Sequence, residues 1–475
     1  MSRYRKLFTD TLILAAGNLG TKTVQFLLLP VITRYLSPKD LGKLDILSTT
    51  VLLIVPLFSL QIPEAVLRFT VEYTRNNVET TELLVSALVF SFFSAVPVFF
   101  LCLISSKLET FKNFGLFLFI IYVLSVLNTV LRQYIRGIDK VRVYVISDLL
   151  YSLSFAVSLV LLLKIFSLGL NGYLLSMVLA FSTSLLFVAP IVFVSVGWSK
   201  KLLPINTAIL RQMLIYSLPL VPNGIMWWVI TASDRYILRA FLGYEATGIY
   251  SVATKIPSLV TVFYSVFHQA WQVSSMEESS NQNYPKYFTM VFSAVQTYLF
   301  LGASMGLLIL KPFLSVYINE SYGESWKYVP FLLLGAVYQV FSGFFGVNYG
   351  NFKRTAGAFY STFIAALVKI TTFLFLLKPA GIQAASISTM LGYLSMWIIR
   401  IRHTKEIANV YIDSKLNIVC SILLTAQATS LTILGENSYI VQLAIFGALL
   451  GSVRRHLKAL FALSFSYIRS VMKVK

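Results

Sequence analysis

Three lysines, Lys22, Lys255 and Lys369, stand inside long apolar stretches of a chain of 475 residues. At the centre of a membrane helix facing lipid an ammonium costs about 2.5 to 3.5 kcal/mol, so it seeks water, a partner or an anionic ligand. Lys22 is the deepest, with Asp10 and Arg34 as its nearest charged neighbours, too deep to snorkel easily. Thr11, Asn18 and Gln25 stand at helical spacing from it and make one face of the segment polar. Lys255 belongs to a similar stripe with Ser251, Ser258, Ser265 and Gln269. Two such faces opposed would enclose a basic, wet cleft whose cargo is an anion. For Lys255 and Lys369, about three turns from the ends of their segments, outward snorkelling is the alternative.

Other residues suit gating or structure. Glu64 and Arg68 are one helical turn apart, a spacing that permits either a structural ion pair or a state-dependent latch. Pro219 and Pro222 each remove a backbone donor inside an apolar segment, with Asn223 and Gly224 beside them, so a packing kink or an exposed break is expected there. Gly335, Gly343, Gly346 and Gly350 mark close helix packing. Asp148, near the start of its segment, is expected within reach of water. Catalytic constellations are not visible, the histidines (His268, His403, His456) are not at metal spacing, and no phosphate-cradling Gly-rich loop with a following lysine occurs. The sequence therefore calls for no catalytic residue, metal or cofactor. Cys102 and Cys420 both fall in apolar segments, which argues for packing rather than a disulfide framework.

The elements that must position these residues follow from composition. Hydrophobic residues make up 57% of the chain and charged ones only 12%, too few charges to cover the surface of a soluble fold. Apolar stretches of about 20 residues recur from end to end, the length a helix needs to cross a bilayer. The expected fold is an all-α integral membrane protein of about 14 transmembrane helices. Among them are segments near 10–33, 44–69, 113–132, 208–230, 247–268 and 380–400. The connections are too short for a separate domain. The net charge of +20 does not imply nucleic acid, because it is divided between the two sides: roughly 25 Lys and Arg fall at the termini and even-numbered connections and roughly 11 at the odd-numbered ones. That bias places both termini in the cytoplasm, and the tail with Arg454, Arg455, Lys458, Arg469, Lys473 and Lys475 against anionic lipid headgroups. The N-terminal apolar run continues to about Thr33 without a convincing cleavage site and reads as an uncleaved first span.

A faint internal repeat accompanies this pattern. LSPKDLGKLDILST begins at Leu36 and LGYEATGIYSVATK at Leu242, with the same step from Leu to Gly at Gly42 and Gly248. Two halves of six helices related by an axis along the membrane normal would give it. The expected organisation is a six-helix lobe over 1–200, a second over 201–405, and two further helices with a basic cytoplasmic tail over 406–475.

The stretch YSLPLVPN from Tyr216 to Asn223, then DRYIL from Asp234, FLG from Phe241 and GIYSVATK from Gly248, closely resembles the seventh-to-eighth helix signature of bacterial polysaccharide flippases. These are the O-antigen and capsule repeat-unit exporters of the multidrug/oligosaccharidyl-lipid/polysaccharide superfamily. The opening hairpin, with Asn18, Lys22, Arg34, Leu36, Pro38, Gly42 and IPEAVLRF from Ile62, looks like the first two helices of that family. The resemblance implies two six-helix lobes in a V-shaped bundle around a cationic cavity that opens alternately to either side. Its implied cargo is an undecaprenyl-pyrophosphate-linked oligosaccharide, moved to the outer leaflet of the bacterial inner membrane and driven by a proton or sodium ion. A polysaccharide polymerase and a chain-length regulator are the implied protein partners. Carried over residue by residue, Lys22 and Lys255 would contact the anionic head, Asn18 would line the cavity, and Asp234 with Arg235 would order the outer end of the seventh helix; Gln25 and Lys369 join the binding set as neighbouring polar and cationic positions.

The alternatives are a multidrug exporter of the same superfamily, for which deep acidic residues are expected, and a membrane polysaccharide polymerase or ligase, for which a large external loop is expected. A non-transporting scaffold for glycosyltransferases is a third. The charge bias makes a direct prediction: cysteine labelling will place the C-terminus and the basic connections around Arg132 to Arg142 and Arg400 to Lys415 on the cytoplasmic side. A periplasmic C-terminus would reverse the orientation and remove the even helix count with it.

Overall fold

Caps and breaks decide where each helix begins, because a membrane helix satisfies its own backbone except at its ends. The computed structural model describes residues 13–14, 17, 19–76, 78–105, 112, 114–196, 206–410 and 412–473. After a helical stretch over 19–27 come α1 (Leu29–Tyr35), α2 (Pro38–Phe58), α3 (Ile62–Arg75), α4 (Thr81–Ser105), α5 (Gly115–Gly137), α6 (Val141–Val160) and α7 (Gly169–Val196). Then follow α8 (Thr207–Ser217), α9 (Leu220–Glu278), α10 (Tyr284–Tyr317), α11 (Val329–Asn351), α12 (Thr355–Ala380), α13 (Ile382–Ala408), α14 (Ser414–Leu434) and α15 (Tyr439–Lys473). Among the described residues there is no strand, and 12 helices are long and apolar enough to cross a membrane. One of them, α9, is broken at Gly243, whose φ of 83° belongs to the left-handed side, where only glycine is unstrained. Its two arms match the separate seventh and eighth spans expected from hydropathy. Large apolar side chains stand open on the outside, such as Phe92 at 73%, Val194 at 82% and Phe375 at 82% exposure, as a lipid solvent requires and water would not allow. The chain is a multi-pass, all-α membrane protein.

Two helices depart from the hydropathy. The expected second span over 44–69 is divided: α2 stops at Phe58, Leu60 and Gln61 take positive φ of 47° and 57°, and α3 restarts with Pro63 in its first turn, where its missing N–H leaves no bond unmade. The proline-rich entry to the seventh span also breaks, with Leu218 and Pro219 in a turn between α8 and α9 and Pro222 in the first turn of α9. A Cβ on Gly224 would stand 2.8 Å from Gln61 Nε2, so the glycine after the prolines leaves room for the side chain at the break in the other helix.

Backbone contacts divide the chain into two compact units, Met1–Ser251 and Val252–Lys475. In the first, small residues let helices approach. A Cβ on Gly137 of α5 would lie 2.6 Å from Thr70 Cβ of α3. Hydroxyls join α4 to α5 (Ser94 to Tyr122, 2.9 Å) and α6 to α7 (Ser154 to Thr183, 2.9 Å). The tightest approach is reciprocal. A Cβ on Gly42 would fall 1.8 Å from the Tyr244 carbonyl oxygen, and one on Gly248 would fall 1.9 Å from that of Pro38. Pro38 stands one turn before Gly42 as Tyr244 stands one turn before Gly248, so the two Leu-to-Gly stretches meet backbone to backbone at matching positions.

The second unit is built around α11. The apolar window of Glu320–Asn351 is 83% buried, against at most 50% in any other candidate span. Trp271 stacks on Phe344 at 4.3 Å, and Phe288, Phe292 and Phe345 close around them. The last two helices are tied in by buried amides: Ser304 of α10 donates to Gln427 of α14 at 2.6 Å, and Gln442 of α15 donates to the Gln427 carbonyl at 2.9 Å.

Gly42→Ala and Gly248→Ala should each lower the thermal midpoint of the solubilised protein, because the atoms they meet are backbone and overpacking costs about 1 to 3 kcal/mol. Gly350→Ala, with nothing within 4 Å of its Cβ, should not lower it. Equal midpoints in a melting assay would show that the crossing yields without strain.

Candidate functional site

The first helix carries its polar face to the surface of the first unit. Gly17 and Gly20 turn toward α6, where a Cβ would meet Val145 at 2.6 Å and Leu149 at 3.2 Å. Lacking side chains, they let this helix lie close to α6, while Lys22, Thr23 and Gln25 remain exposed. Thr11 and Asn18 lie outside the described residues. Asp148, on α6, is bonded to Arg132 of α5 at 2.5 Å, with each side chain 17% exposed. Asp148 directly precedes Leu149, the residue that a Cβ on Gly20 would meet, so the helix that carries Lys22 lies beside this acid. The lysine that hydropathy isolates therefore has an acidic neighbour as well as access to solvent or ligand. The Arg132 guanidinium lies over the Tyr144 ring at 4.3 Å, with Arg136 on the same ring at 5.9 Å. Arg132 Nε and the Asn128 amide nitrogen are buried with no hydrogen-bond partner.

Close by, Gln133 Nε2 donates to Glu64 Oε1 at 3.2 Å. Arg68 reaches Glu72 at 3.9 Å instead of Glu64, and both ends of that pair are open to solvent, at 62% and 48%, where such contacts contribute little. Glu64 thus sits at the start of α3 and turns toward α5, not along its own helix.

Asp234 and Arg235 occupy the glycine crossing. Arg235 reaches Asp234 at 2.7 Å and Asp45 of α2 at 3.2 Å. Tyr250 donates to the other oxygen of Asp234 at 2.6 Å and lies 5.3 Å beneath the guanidinium. Trp228 Nε1 donates to the Thr49 carbonyl at 2.8 Å, and Tyr236 meets Thr50 at 2.5 Å. These bonds tie the first arm of α9 to α2 and the second arm to the first, around the glycine contact. One guanidinium between two carboxylates makes a strong, charge-assisted clasp that keeps one formal negative charge.

In the second unit Lys255 and Ser258 are exposed, and Gln269 Oε1 is buried with no partner. Lys369 is only 1% exposed and its Cβ lies beside Gly392, so it presents no surface here. A buried cation absent from the sequence argument is Arg400, 5% exposed, which donates to the Ser342 carbonyl at 2.8 Å, Ser361 at 3.0 Å and Thr362 at 3.3 Å. A Cβ on Gly346 would stand 2.6 Å from its Nη1, so that glycine makes room for the guanidinium while Gly335 and Gly343 pack against Met390 and Tyr264.

Arg132 and Arg400 escape the sequence argument because hydropathy ends their spans near 132 and 400, whereas the helices run to Gly137 and Ala408. Nothing in IIRIRHTKE distinguishes Arg400 from exposed Arg402. Asp45 had a signal: it is one turn after Gly42, on the face that the repeat brings to the crossing.

Comparison with solved structures finds the same fold at low identity. Lipid II flippase MurJ in an inward closed conformation superposes with a TM-score of 0.67 at 12% identity, covering 96% of this chain and 100% of that one. An inward-facing multidrug resistance MATE family transporter of the MOP superfamily gives 0.63 at 12% identity over 88% and 96%. The Vibrio cholerae MATE transporter VcmN gives 0.59 at 12% identity over 85% and 97%. No curated protein sequence matches the chain. Residues 7–272 match the family described as "Polysaccharide biosynthesis protein", and with more than half of its length so matched the chain belongs to that family.

Proposed function

We propose that the protein is a flippase that carries an undecaprenyl-pyrophosphate-linked oligosaccharide repeat unit from the inner to the outer leaflet of the bacterial cytoplasmic membrane, for O-antigen, capsule or exopolysaccharide synthesis. It works by alternating access between two six-helix lobes, 1–200 and 201–405, with 406–475 appended and both termini cytoplasmic, and a proton or sodium gradient drives it. The observation that carries this reading is the exposed Lys22 on a polar helix face within a membrane bundle, where a multiply charged headgroup is the natural occupant. Membership of a polysaccharide biosynthesis family supports the sugar cargo, and a fold shared with a lipid flippase supports the mode of transport.

A multidrug exporter for organic cations is the weaker alternative on chemical grounds. Such a site needs an acid free to meet the cation, and Asp45, Asp148 and Asp234 are each held by an arginine. Lys255 serves as a second contact for the head, Glu64 and Arg68 as elements of a cytoplasmic gate, and Pro219 and Pro222 as the break that lets α9 move. If Glu64→Gln leaves export unchanged over a range of external pH, the gate and any proton-coupling role of this carboxylate are discarded.

Surface polysaccharide and membrane protein level, measured together in a deletion strain complemented with each variant, test the main proposal. Lys22→Ala should reduce export by about tenfold or more at an unchanged protein level, the loss of at least one charge-assisted contact. Lys22→Arg should keep part of it, since the charge stays while its shape changes. The deletion itself should accumulate lipid-linked repeat units on the cytoplasmic side. Full export by the alanine variant would make Lys22 a tolerated surface group and remove the cationic site.

A further inference from the structure

The cationic face of the first unit carries its own anion. We propose that Asp148 is a specificity-determining residue: a tethered carboxylate that occupies Arg132 beside the helix that carries Lys22, and so admits a pyrophosphate headgroup while excluding the monoanionic phospholipids of the surrounding membrane. The inference rests on the flippase reading and adds to it what the site rejects.

The need for rejection comes from the solvent. Any cationic surface within a bilayer meets anionic phospholipid headgroups at far higher concentration than a biosynthetic intermediate, and juxtamembrane lysines and arginines attract them. An open pair of cations at Lys22 and Arg132 would be filled by such lipids. In the structure the pair is not open: Arg132 is bonded to Asp148 at 2.5 Å, and the helix that carries Lys22 packs on α6 at Val145 and Leu149, on either side of that acid. The group of two cations and one anion keeps one net positive charge.

A monoanionic phosphodiester offers Arg132 what it already has, one negative charge, and must displace a carboxylate held nearby by the fold. A carboxylate held in bonding geometry by the fold loses no translational freedom to stay paired, so an equally charged free competitor loses. Pyrophosphate is different. It brings more than one charge and several acceptor oxygens, enough to engage Lys22 and the arginine together. Arg132 retains the capacity for this exchange, because its Nε is a donor with no acceptor in the resting arrangement and its ring platform, Tyr144, holds the guanidinium while the acid moves. Around the pair, α7 carries no charged residue, Arg136 adds a cation at the Tyr144 ring, and Glu64 is engaged by Gln133.

The test uses the purified full-length protein in nanodiscs, with a fluorescent polyprenyl pyrophosphate as probe and phosphatidylglycerol replacing zwitterionic lipid in steps. Wild type should bind the probe with an affinity that hardly changes as phosphatidylglycerol is added. Inorganic pyrophosphate in the buffer should displace the probe and inorganic phosphate at equal concentration should not. Asp148→Asn should bind the probe about tenfold more tightly in zwitterionic discs, the effect of removing one competing charge from a partly screened site. That advantage should vanish as phosphatidylglycerol rises, and Asp148→Glu should restore the wild-type insensitivity. Competition by phosphatidylglycerol against wild type overturns the filter whatever the variants do, and so does an asparagine variant that matches wild type in affinity and lipid sensitivity. If wild type shows no saturable binding of the probe at all, the flippase reading falls and the filter with it; binding that Lys22→Ala weakens but phosphatidylglycerol also displaces removes the filter alone.

Discussion

A hydrocarbon slab supplies no water to a polar group, and nearly every feature of this protein is a response to that one constraint. Backbone groups are satisfied by making everything helix, and where a helix must stop in the middle of a span the break is matched by a small residue on a neighbour. Gln61 at the division between α2 and α3 finds room beside Gly224. Side-chain hydroxyls turn back on their own helix or reach across to the next, as Ser94 does to Tyr122. The amides of Gln427 and Gln442 replace water in tying the last two helices to α10.

Charge obeys the same rule with larger stakes. Burying an ion without partners is far costlier than burying an amide, and the chain answers in three ways. Arg235 is shared by two carboxylates at the crossing and Tyr250 donates to one of them, so each member of the clasp has a partner. Arg400 of α13 is held by neutral oxygens of two other helices and an aromatic face, which fixes α11, α12 and α13 relative to one another. At Arg132 the compensation is incomplete: beside its bond to Asp148, one guanidinium nitrogen has no acceptor. Incomplete compensation separates a site from a staple, because a ligand can still improve the electrostatics there.

Close approach in lipid rests on glycine, since helices gain nothing by hiding apolar surface from an apolar solvent and must gain contact instead. Gly42 and Gly248 make that contact, backbone to backbone, and they are equivalent positions of a sequence repeat. The clasp of Asp45, Arg235, Asp234 and Tyr250 is built on the same crossing. Packing and electrostatics therefore reinforce one another at one place, and a change at either glycine would disturb the ionic network as well.

Composition and periodicity determined the class of this protein by themselves: apolar segments of membrane length admit only a helical bundle, and the polar stripe around Lys22 and the Leu-to-Gly step at two places are visible along the chain. Those properties are local, read from residues within a few turns of one another. What the sequence could not determine was pairing across helices. Glu64 and Arg68 stand at ion-pair spacing, yet Glu64 meets Gln133 and Arg68 meets Glu72. Arg132 and Arg400 look like ends of spans, because hydropathy falls at a charge whether or not the helix continues past it. Only the packing of α5 on α6, or of α11 and α12 on α13, shows that these helices carry on and that their cations are enclosed. The tertiary structure decided which charges are compensated, because compensation depends on distances between segments far apart in the chain, and no period along a single helix encodes them.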